Sequence, residues 1–294
     1  MNDHALRPAS AAPTFQPPQA ATLPPADVPV PQRVRHALER RPVTVAAIED
    51  VSPHLRRIRL QGEAVKTLVS LGFDDHVKLL LPPPGERTVP LPPLGPGGRP
   101  DPSYTGPRPV MRDYTPLAVD TAAGTLDLMF ALHGEGPASR WAAQAQRGDA
   151  AVIGGPRGSA VWPVDLAWQW LVGDESALPA ISRRLQELPE SVAVTVVLDL
   201  AHPEAALPAL ALGPGRQLVV VPRPAPHTSH PLLQALAALP RPQGRGLAWV
   251  AAERQVARDV RGLLLDTLGL HRGQVRAAAY WTHGQADFHE NLED

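Results

Sequence analysis

The sequence predicts two joined folds: a small antiparallel β-barrel, then a doubly wound, mostly parallel α/β domain. Three observations carry this. Between residues 43 and 153, short β-branched runs alternate with turn signals, as in small barrels. After Pro163 the pattern changes to strands alternating with helical stretches, as in a parallel sheet with crossover helices. The chain has 294 residues, enough for two compact units.

Taken in order, residues 1–32 are rich in Pro and Ala with no apolar periodicity, and they predict a disordered arm. Ordered structure is expected from near Val43. Strands are predicted over 43–48, 55–60, 76–81, 110–115, 125–133 and 150–153, with a turn at Ser52-Pro53-His54 and a short helix over 137–145. The Pro/Gly-rich stretch 82–109 is a long loop, a length that points to function. In the second half, strands are predicted over 168–172, 192–198, 218–221, 247–251 and 275–281. Helices are predicted over 177–188, 231–239 and 253–268. The expected organisation is an arm over 1–32, a barrel domain over 33–163, an α/β domain over 164–284 and a polar tail over 285–294.

Composition excludes several classes. A formal net charge of -1 gives no footprint for nucleic acid or for an anionic membrane surface. There is no cysteine, so disulfides, thiolate nucleophiles and cysteine-ligated iron–sulfur clusters are excluded. Redox chemistry must then come from a bound cofactor. No apolar run is long enough to span a bilayer, and no basic segment leads into an apolar core at the start, so the expected compartment is the cytoplasm. His283, Asp287, His289 and Glu290 cluster near the end, and Asp74, Asp75 and His76 sit together. Neither group has zinc-site spacing, and no metal site is expected. No nucleophile-elbow motif accompanies a Ser-His-Asp order, so hydrolysis has no support.

Four segments carry candidate chemistry. The first is Arg112-Asp113-Tyr114-Thr115 at a strand end. A flavin needs an aromatic face, a hydrogen-bond donor near N5 and a cation for its pyrophosphate; Tyr114, Thr115 and Arg112 offer these. Strand alternation separates residues 112 and 114 from 113 and 115, so one shared ligand requires a bend. The same four residues also fit an exposed strand end. The second segment runs from Leu132-His133-Gly134 through Gly136-Pro137-Ala138-Ser139 to Trp141. Pro137 suits a first helical turn, and the opening amides with Ser139 make an anion site for a diphosphate. An ordinary loop-to-helix junction with Trp141 in the core fits as well. The third, Gly154-Gly155-Pro156-Arg157-Gly158-Ser159, is a sharp turn that either approaches a cofactor or joins the two halves. The fourth, Gly173-Asp174-Glu175 before Ala177-Leu178-Pro179, is a strand-to-helix turn at the edge where doubly wound folds bind nucleotides. Its acidic residues suit a nicotinamide-ribose or flavin contact better than a phosphate.

In this order the four segments resemble the siderophore-interacting proteins, FAD-dependent ferric-siderophore reductases with a ferredoxin-reductase-like fold. The resemblance runs from about Val43 to about Gly284 and includes His76-Val77-Lys78-Leu79, Trp249-Val250-Ala251-Ala252-Glu253 and Tyr280-Trp281. It implies an FAD-binding barrel in which Arg112, Asp113, Tyr114, Thr115, His133, Gly136, Pro137, Ala138, Ser139 and Trp141 surround the cofactor. His76, Val77, Lys78 and Leu79 would lie along the flavin, with Thr115 and Tyr114 at the reacting ring. NADH or NADPH would enter beside Gly173, Asp174 and Glu175 and the Trp249 turn. Two positions depart from the family pattern. The usual glycine before Glu253 is Ala252. The lysines that some members use for an anionic siderophore are nearly absent, Lys66 and Lys78 being the only ones in the chain. Arg56, Arg57, Arg183, Arg184, Arg254, Arg258 and Arg261 are possible substitutes, although arginine runs on helices usually form solvated faces.

The implied activity is reduction of Fe(III)-siderophore to release Fe(II), with NAD(P)H or ferredoxin as donor. Two other readings fit the same residues: a general NAD(P)H–flavin or quinone reductase, and a siderophore-binding carrier without catalysis.

Overall fold

The computed structural model describes residues 28–95, 101–132, 136–206, 210, 212–223, 228–283 and 290–292. Its first half is an antiparallel half-barrel of seven strands. The strands are β2 (Arg40–Ser52), β3 (Leu55–Gln61), β4 (Val77–Leu81), β5 (Val110–Tyr114), β6 (Ala118–Asp120), β7 (Thr125–Ala131) and β8 (Ala150–Gly154), in the order β5-β4-β8-β2-β3-β7-β6. Alternation decides which side chains fill it. Val43 and Val45 of β2, Ile58 and Leu60 of β3, and Leu126, Leu128 and Phe130 of β7 point inward and are buried. Helix α1 (Pro137–Gln144) closes one end by adding Ala138 and Ala142 to that core.

The second half is a sheet with five parallel strands. These are β10 (Trp168–Gly173), β11 (Ala193–Leu200), β12 (Gln217–Pro222), β13 (Gly246–Glu253) and β14 (Val275–Trp281), in the order β12-β11-β10-β13-β14. Helices α2 (Leu178–Glu187), α3 (Pro203–Ala206), α4 (His230–Ala237) and α5 (Arg254–Gly262) form the crossovers. Every residue of β10 and of β13 is buried, as expected for central strands covered on both faces. The α4/α5 face packs on Trp168, Trp170 and Val172. The α2 face shares one core with Leu55, Phe73 and Met129 of the barrel half, so the two halves are joined through packed apolar side chains. The strand order reverses between β10 and β13, the topological switch point of such a sheet.

The ends of the chain differ from the sequence expectation. Residues 1–27 lie outside the described residues, but the last part of the expected arm does not. Gln32 opens β1 (Gln32–Arg35), which pairs antiparallel with β9 (Gly158–Val161). A Cβ on Gly273 would stand 2.2 Å from Cγ1 of Val28, so Val28 lies directly against the α/β half. Within the expected polar tail, Glu290–Asn291 forms β15, antiparallel to β14. Both are short edge additions without periodicity of their own, which is why pattern reading passes over them. The predicted helix over 253–268 is α5 followed by a π-type turn over Leu263–Thr267.

Candidate functional site

The Arg112-to-Thr115 word divides between two neighbourhoods. β4 and β5 pair with Val77 opposite Tyr114, Lys78 opposite Asp113 and Leu79 opposite Arg112. Val77 and Leu79 are fully buried in the barrel core, so Arg112 and Tyr114 share the inner face. Lys78 and Asp113 share the outer face, where the Lys78 ammonium and the Asp113 carboxylate pair at 2.7 Å. His76 is exposed just before β4.

The inner face leads to α1. The Tyr114 ring lies 4.5 Å from Phe130, and Phe130 lies 5.8 Å from Trp141 of α1. Burial holds the Tyr114 phenol protonated well above its ordinary range, against a smaller opposing effect from Arg112. α1 begins where the sequence predicts: Gly136 is extended, Pro137 occupies the first turn, and no side chain caps the helix. Ala138 and Ser139 are buried at that turn, and α1 packs against β5. His133, singled out from the sequence, lies outside the described residues, as do Gly134 and Gly284. β5, which carries Arg112 and Tyr114 on one face, therefore packs against α1, whose start has no side-chain cap. A guanidinium, helix-start amides and an aromatic side chain are the group types that a flavin diphosphate and ring require.

Thr115 goes the other way. It follows the end of β5, is buried, and lies near Tyr280 of β14, whose phenol burial keeps protonated. The Tyr280 ring stands edge-on to Trp249 of β13, with centroids 6.1 Å apart. Trp249 Nε1 in turn donates to Asp74 Oδ2 at 3.0 Å. Burial raises the pKa of Asp74; the Trp249 bond and the nearby Arg276 oppose the shift. The barrel contributes Thr115 and Asp74 to this cluster, and the parallel sheet contributes Trp249 and Tyr280.

At the switch point, Gly173 leaves no room for a side chain: a Cβ there would meet the Ala251 carbonyl at 2.5 Å. Asp174 turns inward. Its carboxylate accepts from the Ser176 amide at 2.9 Å, the Ser176 hydroxyl at 2.5 Å, Trp281 Nε1 at 2.8 Å and the Glu253 amide at 3.2 Å. Burial, then repulsion from Glu175, raises its pKa despite these donors. Glu175 accepts from the Ala201 amide and from Arg223, each at 2.7 Å. Both carboxylates therefore lace the strand ends together. Ala252, which stands where the family pattern has glycine, buries its methyl in the core beneath α5, so that methyl is not spent on the crevice.

Sequence reasoning misplaced one pair. Arg183 and Arg184 were expected on a solvated helix face, but Arg184 is fully buried and Arg183 partly so. Arg183 donates to the Ser70 hydroxyl at 3.0 Å and to the Pro116 carbonyl at 3.3 Å, tying α2 to the residue after Thr115. The detectable signal was their place in α2, beside Ile181 and Leu185, on the face that meets the barrel. The Gly154-to-Ser159 turn is tied back onto the barrel half through Ser159, whose hydroxyl donates to Asp75 at 2.6 Å and takes the Leu71 amide at 3.1 Å.

Comparison with known proteins matches both halves to one family. Residues 44–160 match the siderophore-interacting FAD-binding domain, and residues 166–284 match the siderophore-interacting protein domain. An Escherichia coli protein named NADPH-dependent ferric-chelate reductase is 38% identical over 257 residues, covering 85% of this chain and 96% of that protein. The Vibrio cholerae ferric vibriobactin reductase ViuB is 30% identical, covering 82% and 89% respectively. Among solved structures, a siderophore utilization protein from T. fusca superposes with a TM-score of 0.76 at 32% identity, covering 87% of this chain and 98% of that one. SipS, a siderophore-interacting protein from Aeromonas hydrophila, gives 0.69 at 31% identity, covering 86% and 95%.

Proposed function

The chain belongs to the siderophore-interacting protein family, and from that membership we propose its reaction: FAD-dependent reduction of ferric iron held in a siderophore, with NADPH as electron source. One relationship supports this most directly. Trp249 of the parallel sheet donates to Asp74 of the barrel half at 3.0 Å, and Tyr280 at the carboxyl edge of that sheet stands edge-on to Trp249, near Thr115 at the end of the barrel word. A cofactor on the barrel and a nucleotide at the switch point would face one another there.

Bound FAD supplies the redox chemistry, taking the two electrons of a hydride together and passing them on singly. The chain's own residues bind and orient. Arg112 offers a cation to the diphosphate, and the start of α1 adds its amides. Tyr114 offers its aromatic body, and Thr115 a hydroxyl to the ring nitrogen N5. Gly173, with Asp174 and Glu175 folded inward, leaves a narrow backbone edge for the nicotinamide end. With no cysteine in the chain, no thiol competes as a redox centre. Each NADPH carries two electrons, so it reduces two Fe(III) to Fe(II) and releases one proton. Fe(III) is a hard ion held by hard oxygens, and Fe(II) is held less strongly, so reduction frees the metal and leaves the ligand intact. We place the reaction in the cytoplasm, where reduced nucleotide is regenerated; among the described residues no helix is long and apolar enough to cross a membrane.

The test is anaerobic. Purified FAD-loaded protein is given NADPH, NADH or a reduced ferredoxin system, with hydroxamate, catecholate and carboxylate ferric siderophores and a ferrous chelator as trap. NADPH-driven Fe(II) formation is expected. Reduction by ferredoxin alone would change the donor and keep the reaction. If chemically reduced protein reduces none of the three siderophore classes, a general NAD(P)H–flavin reductase replaces this assignment.

A further inference from the structure

The helices that follow β10 and β13 are α2 and α5, so their starts flank the switch point of the parallel sheet. In doubly wound folds the diphosphate of a dinucleotide rests on the free amides of such a helix start. Whether it fits here depends on what those amides already bond.

At the α2 start the chain itself takes them. The Ser176 amide donates to Asp174 Oδ1 at 2.9 Å, the Ala177 amide to the Asp174 carbonyl at 3.0 Å and the Leu178 amide to the Glu175 carbonyl. Pro179 has no amide hydrogen. The Ser176 hydroxyl also donates to Asp174 Oδ1, at 2.5 Å. α5 repeats the arrangement. The Gln255 and Val256 amides donate to Glu253 Oε2 at 2.6 and 3.3 Å, and Glu253 Oε1 takes the Thr282 hydroxyl at 3.2 Å. The Glu253 amide in turn donates to Asp174 Oδ2 at 3.2 Å, which ties the two caps together. Each carboxylate does for its helix start what a phosphate does in a dinucleotide complex.

Charge points the same way. Arg223 pairs with Glu175 at 2.7 Å and with Asp199 at 3.4 Å, so its guanidinium is held between two carboxylates. With Asp174 and Glu253, the edge gathers four carboxyl groups around that cation. A diphosphate brought here would lose its water for few donors and meet like charge. The nicotinamide–ribose half carries a neutral reduced ring, and its ribose hydroxyls donate to carboxylates.

We propose that this edge engages NADPH through its nicotinamide–ribose half: Asp174 and Glu253 keep the diphosphate off both helix starts, Glu175 withholds Arg223 from it, and a reduced nicotinamide lacking the adenylate half is a competent hydride donor. The proposal rests on the NADPH reading given above and narrows it. The chemistry balances alike for every such donor. The ring C–H bond breaks, the hydrogen leaves for bound FAD with both electrons, and the dihydropyridine becomes a pyridinium.

The test follows bleaching of the flavin's visible absorbance by stopped flow, in FAD-loaded full-length protein without oxygen or siderophore. The donors are NADPH, reduced nicotinamide mononucleotide and dihydronicotinamide riboside. Their second-order constants should agree within about tenfold, the worth of one hydrogen bond. ADP-ribose carries the diphosphate without the nicotinamide; in calorimetric titration it should give no binding heat. Glu175→Gln keeps an acceptor for the Ala201 amide and frees Arg223 of one carboxylate. It should raise the preference for NADPH over the riboside about tenfold, the effect of one charge-assisted hydrogen bond. Tight ADP-ribose binding, a wild-type NADPH constant more than about a hundredfold above that of the riboside, or an unchanged preference in Glu175→Gln would overturn the inference and leave NADPH as the donor. Failure of every dihydronicotinamide, with photoreduced protein still reducing ferric siderophore, would overturn the nucleotide reading as well.

Discussion

Arg184 of α2 holds its guanidinium carbon 5.0 Å from the ring centroid of Phe73, with Arg184 in the α/β half and Phe73 in the barrel half. The rest of the fork is satisfied at the junction between them. Nε donates to Gln169 Oε1 at 2.9 Å, Nη2 to the Pro163 carbonyl at 2.6 Å and Nη1 to Glu187 at 3.1 Å. Arg184→Ala should therefore destabilise the protein by about 3 kcal/mol, because it strands buried acceptors and removes the packing on Phe73. Arg184→Lys should recover only part of this, since an ammonium cannot reproduce the planar fork. Urea denaturation of the three proteins measures both effects; an Arg184→Ala midpoint equal to wild type would show the junction to be held by apolar packing alone.

On the proposed reading, Arg112 binds FAD through its charge and contributes little to the fold, because it lies at a half-buried position on edge strand β5. Arg112→Ala should weaken FAD binding by about 1.5–3 kcal/mol, the range for a charge-assisted hydrogen bond, which is roughly one to two decades in Kd. Flavin titration of apoprotein followed by fluorescence reads this. An unchanged titration in a well-folded variant would remove Arg112 from the site.

Asp127 of β7 is a buried carboxylate gripped by two arginines of β3, with Arg59 Nε at 2.7 Å and Arg57 also in contact. Burial alone would raise its pKa, but the hydrogen bonds from Arg59 and Arg57, with their charges, bring it below the ordinary value. A folded pKa below the unfolded one means that the stabilisation is complete above about pH 4, the unfolded value, and is lost as pH falls through the folded value. Asp127→Asn should therefore cost about 2 kcal/mol at pH 7 and much less at about pH 2. Urea midpoints at the two pH values measure the difference; a constant penalty would show that shape, and not charge, matters at this position.

The parts of the fold that depend on periodicity were legible in the sequence. The barrel strands alternate, the parallel strands are continuous apolar runs, and the family words sit at strand ends and helix starts where backbone groups are exposed. The contacts between the halves were not. Asp74 and Trp249 are 175 residues apart in the chain, and no local pattern marks one as the other's partner. The two arginines of α2 read as a solvated pair because helix periodicity reports one apolar stripe and cannot show a second body lying against the next face. Likewise the strand-end carboxylates Asp174 and Glu175 appear in sequence as open ligand candidates. Only the fold shows that they turn inward onto Trp281, Ala201 and Arg223.

The segment before β2, where the sequence suggests an idle arm through residue 32, is in part an ordered edge of the fold. Gln32 and Arg33 instead pair with Val161 and Ala160, and Val34 pairs with Ser159. Just beyond, His36 Nε2 lies 2.8 Å from the Ser159 hydroxyl. That hydroxyl has one proton, which it gives to Asp75, so His36 must be the donor in its contact. The ladder thus holds Ser159, and Ser159 satisfies a buried carboxylate next in sequence to Asp74, which supports Trp249 and, through it, Tyr280. A chain beginning at His36 loses the whole of β1 and the seat of Val28 against Gly273. It should lose about 2 kcal/mol or more, or several degrees in Tm for a protein of this size. Ser159→Ala should reproduce part of the loss in the full-length chain by leaving Asp75 short of a donor. Thermal melts of the truncated, Ser159→Ala and full-length proteins decide the matter. Coincident melting curves would mean that β1 rests on the surface without supporting the site beneath it.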